Sequence, residues 1–172
     1  MEYIRNHIKE LGPRARVGFG APTNADARDI CAEGESGLIS TYRDEFRHNR
    51  SLNEAYHRET NAYVKFMGTE NPDRWNGPQW TLLAFDELSL CNPKAIAEAQ
   101  FGLRLGSHPR MIAAYTPRKR QHIKDLEAEE GKTLFISRAT TFDNTKLPKR
   151  RLEQLQRQYG GTQLGRQMLE GL

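Results

Sequence analysis

The stretch Thr81-Leu82-Leu83-Ala84-Phe85-Asp86-Glu87 constrains this chain more than any other: five uncharged residues run straight into two adjacent carboxylates. A short apolar run of this kind suits a strand buried on both faces of a parallel sheet. In open parallel sheets, ligands bind just beyond the carboxyl ends of the strands, which is where Asp86 and Glu87 would sit. An Asp at that edge can hold Mg²⁺ on a nucleotide's phosphates, directly or through water. A Glu one residue further on can orient and deprotonate an attacking water. A buried strand with a charged cap produces the same pattern, so the rest of the chain has to discriminate.

At 172 residues the chain is long enough for one domain with its own core. Hydrophobic residues make up 37% and fall in short runs separated by Gly and Pro. No run approaches the ~20 apolar residues needed to cross a bilayer. Met1-Glu2-Tyr3-Ile4-Arg5 lacks the basic-then-apolar order of a signal peptide. Cys31 and Cys91 are too few and too far apart for a metal knot or a disulfide framework; buried, inert thiols in a reducing cytoplasm fit them. The net charge of +4 is uneven. From Arg118 onward there are 12 Lys+Arg against 7 Asp+Glu, a net of +5, which leaves −1 for the first 117 residues. A basic C-terminal third can touch a polyanion such as DNA, and a solvated helix face accounts for the same charges.

Along the chain, Tyr3, Ile4, Ile8 and Leu11 have helical spacing, and Gly12-Pro13 ends that helix. Residues 15–21 read as a strand. Thr23 to Asp26 then has capping-box spacing and opens a helix with Ala27, Ile30 and Cys31 inward. Residues 53–58 and 62–67 suit a hairpin turning at Thr60-Asn61. Asn92-Pro93 starts a helix that runs to about Leu105 and buries Ile96, Ala99 and Leu103. Residues 110–115 and 133–137 are further predicted strands. Residues 121–129, 148–159 and 162–169 are predicted helices. Alternating strands and helices argue for an α/β sandwich with a mostly parallel sheet. Thr23, Asp86-Glu87 and Thr116 would then all stand at strand ends. A Thr hydroxyl there can sense a terminal phosphate, and each Thr alone also reads as a helix cap.

Taken together these stretches resemble the ATPase region of the large subunit of tailed-phage terminases, over nearly the whole chain. Ala21-Pro22-Thr23 with Ala25-Asp26-Ala27-Arg28-Asp29 resembles the family's second ATPase strand and the helix after it, and Glu33-Gly34-Glu35-Ser36-Gly37-Leu38 continues the match. Glu70-Asn71-Pro72-Asp73-Arg74 and Gly77-Pro78-Gln79 are similar to the loop before the Walker B strand. Phe101-Gly102-Leu103-Arg104-Leu105-Gly106 and Thr116-Pro117-Arg118 resemble the next helix and the coupling motif. Thr141-Phe142-Asp143-Asn144, Tyr159-Gly160-Gly161-Thr162 and Leu164-Gly165-Arg166-Gln167 are similar to the family's exit from that domain.

The resemblance implies a three-layer, P-loop NTPase fold of the RecA-like type, incomplete. Residues 1–147 would be a partial ATPase domain and residues 148–172 a helical segment leading toward a nuclease domain. It implies ATP and Mg²⁺ as cofactors. Asp86 would position the metal, Glu87 would activate water, Thr23 would lie at the nucleotide, and Thr116 would couple the phosphate site to DNA movement. The implied partners are double-stranded DNA, the portal protein, the terminase small subunit and further copies of the chain, in the host cytoplasm and with no membrane. A family Arg normally precedes the Gly at position 77 and is a candidate to reach a neighbouring subunit's nucleotide; here Asn76 stands there, and Arg74, two residues upstream, would be the substitute. No G-x-x-x-x-G-K-[ST] phosphate loop occurs in the sequence. The chain is therefore expected to start just after that loop and to hydrolyse ATP poorly by itself. The alternatives are a non-catalytic module that docks on terminase or portal subunits or holds DNA through Arg118, Lys119, Arg120 and Lys149-Arg150-Arg151, and a degenerate prophage remnant. The five His show no ligand spacing and are expected at the surface or in loops, and Trp75 and Trp80 are expected to pack in the core.

Overall fold

A computed structural model describes residues 1–169 and 171. The chain forms two compact units, Met1–Ala114 and Tyr115–Leu172, and the division expected after residue 147 falls inside the second.

In the first unit, helix α1 (Glu2–Leu11) precedes strand β1 (Arg16–Ala21). A single turn, α2 (Asn24–Asp26), runs into a π-helical segment, Ala27–Ala32, and then α3 (Leu38–Thr41). Strands β2 (Phe46–Asn49), β3 (Glu54–His57) and β4 (Tyr63–Gly68) follow, and β5 (Leu82–Phe85), α4 (Pro93–Gly102) and β6 (Arg110–Ala113) complete the unit. The sheet order is β2-β3-β4-β1-β5-β6. The pairs β4–β1, β1–β5 and β5–β6 are parallel, and the β2–β3–β4 meander is antiparallel. The α/β class with a mostly parallel sheet is therefore as the alternation predicts. In register, Val17 faces Leu82 and Gly20 faces Phe85, so the sequence's central run lies between two parallel neighbours.

All four residues of β5 and five of six in β1 are buried, the pattern of strands covered on both faces. On one face Val17, Phe19, Val64, Phe66, Leu82 and Ala84 pack with Ile4 and Ile8 of α1 and with Ala27, Cys31 and Leu38. On the other, Trp75 and Trp80 lie 6.3 Å apart between ring centres, and Trp75 is 5.4 Å from Phe85. Both Trp are fully buried, and the Trp75 indole N–H donates to the Gly68 carbonyl (3.1 Å). These rings fit because β1 carries glycine where they press: a Cβ on Gly20 would collide with the Phe85 ring.

Several local expectations are corrected. The Glu33 N–H bonds to the Arg28 carbonyl, a five-residue step that makes the turn wider than α. Ile30 thereby rotates out to 51% exposure, while Ala27 and Cys31 stay buried. Helix α4 stops at Gly102, and its buried residues are Ala95, Ala99 and Gly102; Ile96 and Leu103 are half-buried. Strand β2 has no apolar alternation to announce it. His57 is not a surface residue: it is 1% exposed, with Nδ1 3.1 Å from the Thr60 hydroxyl and Nε2 3.5 Å from Glu45. His48 pairs with Glu33 at 3.2 Å, and His7 bonds the Thr81 hydroxyl at 2.8 Å.

The second unit contains α5 (Gln121–Glu127), α6 (Lys149–Tyr159) and α7 (Gln163–Leu169), with a capped 3₁₀ turn at Thr141–Asp143. Ile123, Gly165 and Leu169 are buried in it. The predicted strand 133–137 does not form. Only a Glu130–Leu134 bridge is present among the described residues of that region, and Phe135 is 89% exposed.

Candidate functional site

The carboxyl ends of β1, β4 and β5 meet at one edge of the sheet because the three strands run parallel and in register. Asp86 leaves β5 there. Its N–H donates to the Gly20 carbonyl (2.9 Å), and its own carbonyl accepts from the Cys91 thiol (3.6 Å). Glu87 takes a left-handed backbone, φ 46 and ψ 48, which is uncommon for a residue with a side chain and turns the chain sharply into the 3₁₀ turn Leu88–Leu90. Leu88 and Ser89 are buried, and the Leu88 N–H donates to the Ala114 carbonyl (3.0 Å). The bend is thus pinned on its far side. Burial, followed by the charge of adjacent Glu87 and a smaller effect from Asp26, pushes the Asp86 carboxyl above its usual range. An apolar recess of about 280 Å³ adjoins Asp86, lined by Phe19, Ile30, Phe85, Ile112 and Ala113 among others.

At the end of β1, Thr23 makes the capping box its spacing predicts. Its hydroxyl donates to the Asp26 carboxylate (2.7 Å) and accepts from the Asp26 N–H (3.1 Å), while the carboxylate takes the Thr23 N–H (3.1 Å). Asn24 crosses to β4, where its side-chain oxygen accepts from the Gly68 N–H (2.9 Å). Gly68 allows this approach, because a Cβ there would strike the Asn24 backbone and the Glu70 carboxylate. Glu70 in turn accepts from the Asn24 N–H (2.9 Å).

Thr69 is the member of this edge that sequence reasoning missed. It is fully buried; its hydroxyl donates to the Pro22 carbonyl (3.2 Å) and accepts from the Asn92 N–H (3.1 Å) at the start of α4. One Thr inside a Gly-, Pro- and Asn-rich loop carries no periodic signal, so nothing in the spacing marks it.

The structure brings Thr23, Asp86 and Glu87 to one sheet edge. Arg74 is elsewhere in the first unit, on the 3₁₀ turn Pro72–Trp75. It lines a cavity of about 640 Å³ together with Arg16, Asn24, Tyr63, Lys65 and Trp80. In that cavity the Arg16 guanidinium stacks 5.7 Å over the Tyr63 ring, and Lys65 is paired with Glu54 at 2.8 Å. Thr116 follows β6 by three residues and is half-buried at the start of the second unit.

Among the described residues no three His, Cys, Asp or Glu side chains assemble as a metal cage. Asp86 is a carboxylate at this edge that could hold a hard cation, with water completing the coordination. No helix among them is long and apolar enough to cross a membrane.

Comparison with solved structures gives a large terminase from a thermophilic bacteriophage at TM-score 0.78 and 19% identity, covering 99% of this chain and 43% of that one. The same protein in complex with ADP matches at TM-score 0.76 and 18% identity, with the same coverage. The large terminase ATPase domain of a Thermus phage matches at TM-score 0.63 and 14% identity, covering 98% of this chain and 81% of that one. This chain thus spans less than half of the full large terminase it resembles, and at these identities the likeness establishes the fold. Among curated proteins no relative matches. The family described as terminase large subunit, T4likevirus-type, N-terminal, matches residues 5–172, and the chain belongs to that family.

Proposed function

We propose that this chain supplies the metal-binding and water-activating half of the ATPase site of a phage DNA-packaging motor. The observation that carries the reading is the pair Asp86–Glu87 at the shared carboxyl edge of parallel strands, with the Asp86 carboxyl pushed up by burial and by its acidic neighbour. A bound cation would relieve that crowding of negative charge, which is why the residues fit Mg²⁺. Bound there on ATP, the ion would neutralise charge on the phosphates. Asp86 would hold it, directly or through water, and Glu87 would orient and deprotonate the attacking water. Thr23 stands at the same edge and would lie near the phosphates, with its hydroxyl already engaged by Asp26. Thr116 couples the phosphate site to DNA movement. Arg74 replaces the arginine missing at Asn76 and reaches the nucleotide of a neighbouring copy.

The phosphate cradle would come from residues outside this sequence. β6 ends the sheet with no further partner among the described residues, and the apolar recess beside Asp86 adjoins it. An added parallel strand on that edge would bring its following loop to Asp86. In this reading residues 1–147 belong to the ATPase domain and residues 148–172 lead out of it. Double-stranded DNA, the portal protein, the small subunit and further copies of the chain are the partners, in the host cytoplasm.

The test joins this chain to a family segment bearing the phosphate loop and measures ATP turnover. Glu87→Gln should abolish turnover and leave nucleotide binding largely intact, and Asp86→Asn should weaken the Mg²⁺ dependence of binding. Turnover unchanged in Glu87→Gln would refute the assignment.

A further inference from the structure

We infer that the second unit carries a cleft that grips the backbone phosphates of duplex DNA. A concavity of about 760 Å³ lies between the segment Pro117–Lys124 and α7, and it is lined by Arg118, Lys119, Arg120, Lys124 and Arg166. The one carboxylate in the lining, Glu127, is occupied by the Tyr115 hydroxyl, which donates to it at 2.8 Å. The ion pairs of this unit join other residues: Lys132–Glu129, Arg138–Glu130 and Arg157–Glu153. No carboxylate among the unit's described residues pairs with any of the five cations of the cleft.

Five like charges gathered around one hollow repel each other, and a polyanion is the ligand that turns this repulsion into binding. The lining selects among polyanions. It holds no aromatic side chain, so it offers neither the stacking platforms that single strands require nor a wall for a nucleobase. Forked Arg donors and Lys point charges contact phosphate oxygens without reading sequence, which suits a duplex gripped at any register. The cleft begins on the residues immediately after Thr116, so the segment assigned to coupling leads directly into a DNA grip.

The choice of DNA as the polyanion rests on the packaging-motor reading; the cleft itself does not. Anisotropy of a labelled duplex with the 172-residue chain, without nucleotide, tests it. Five phosphate contacts give a log–log salt slope of about −4.5, so affinity should fall about 500-fold between ~50 and ~200 mM salt. Arg118→Ala/Lys124→Ala removes two contacts, which flattens the slope to about −2.7 and the loss to about 40-fold. Arg120→Gln/Arg166→Gln repeats the measurement from other positions in the cleft, and circular dichroism melting confirms that each variant is folded. Arg14→Ala/Arg43→Ala removes the same charge from exposed positions of the first unit and should keep the wild-type slope. The inference is overturned if the three double variants share one salt dependence, if the chain does not bind duplex, or if ATP at equal phosphate concentration displaces it. Turnover is not part of this assay, so a silent Glu87→Gln would sink the ATPase reading and leave this result standing.

Discussion

Gly20→Ala is the perturbation whose effect the structure fixes most closely. Gly20 lies opposite Phe85 in the β1–β5 ladder, and an added Cβ would collide with the Phe85 ring and come within 3.1 Å of Trp75. Phe85 is 2% exposed and Trp75 is fully buried, with the two ring centres 5.4 Å apart, so the added Cβ would press on closely packed rings. Overpacking of this kind costs about 1–3 kcal/mol. Replacing Gly with Ala returns about 0.4–1 kcal/mol by restricting the unfolded chain. The net expectation is a loss of about 1–2 kcal/mol. With a urea slope of about 2 kcal/mol/M, the midpoint should fall by about 0.5–1 M at unchanged slope. The assay is built in, because both tryptophans are in the first unit and buried in the strained region, so their emission follows its unfolding. Gly18→Ala should cost less, since its Cβ would meet Leu83 and Trp80 at 3.0 Å, a contact small shifts can relieve. In Phe85→Leu, which makes room, the Gly20→Ala penalty should shrink, with a coupling of about 0.5–3 kcal/mol. A Gly20→Ala protein as stable as wild type would refute the packing argument, and with it the account of why β1 is glycine-rich.

Acid should act on the α1 contact. The Arg5 guanidinium, bonded to Glu45 at 2.6–2.9 Å, and then Lys9 hold the Glu45 carboxyl down at about 2. A depressed carboxylate contributes stability that is present above its unfolded value of about 4.3 and is lost as pH falls toward 2. The stability gap between wild type and Glu45→Gln should therefore be largest above pH ~5 and close by pH ~2. Urea midpoints across that range check it, and a constant gap would contradict the assignment. Burial pushes the Cys91 thiol up to about 11 and the Cys31 thiol up to about 12. Both should resist a thiol reagent at about pH 8 in the native protein and react fully in urea; fast native labelling of either would show that its shell opens.

The central strand and the start of α4 were legible because each is a local pattern: an unbroken apolar run for β5, and Asn92-Pro93 for a helix cap followed by a first-turn proline. The capping box at Thr23 was legible for the same reason. What failed depended on partners distant in sequence. Ile30 looked inward at a period of ~3.6, and the π turn moved it out. Residues 133–137 have the composition of a strand, but composition supplies no ladder, and the second unit's described residues include no strand to pair with them. β2 reads Phe-Arg-His-Asn and is a strand because β3 offers it a partner. His57 gave no ligand spacing, yet it is buried against Phe46 and Glu45, neighbours that only the meander brings close. The place of the two acids just past a buried strand could be read directly, whereas the left-handed backbone of Glu87 and the Thr69 hydroxyl could not, since neither a backbone angle nor a hub of three segments leaves a mark on residue spacing.

The Thr69 hydroxyl has a mechanical consequence. By touching the chain just past β1 and the N-cap of α4 from the tip of β4, one side chain links three segments. The link between them is polar and does not depend on the apolar interior. The acids just past β5 thus stand beside a rim whose neighbouring segments are cross-linked by polar contacts as well as by the apolar interior.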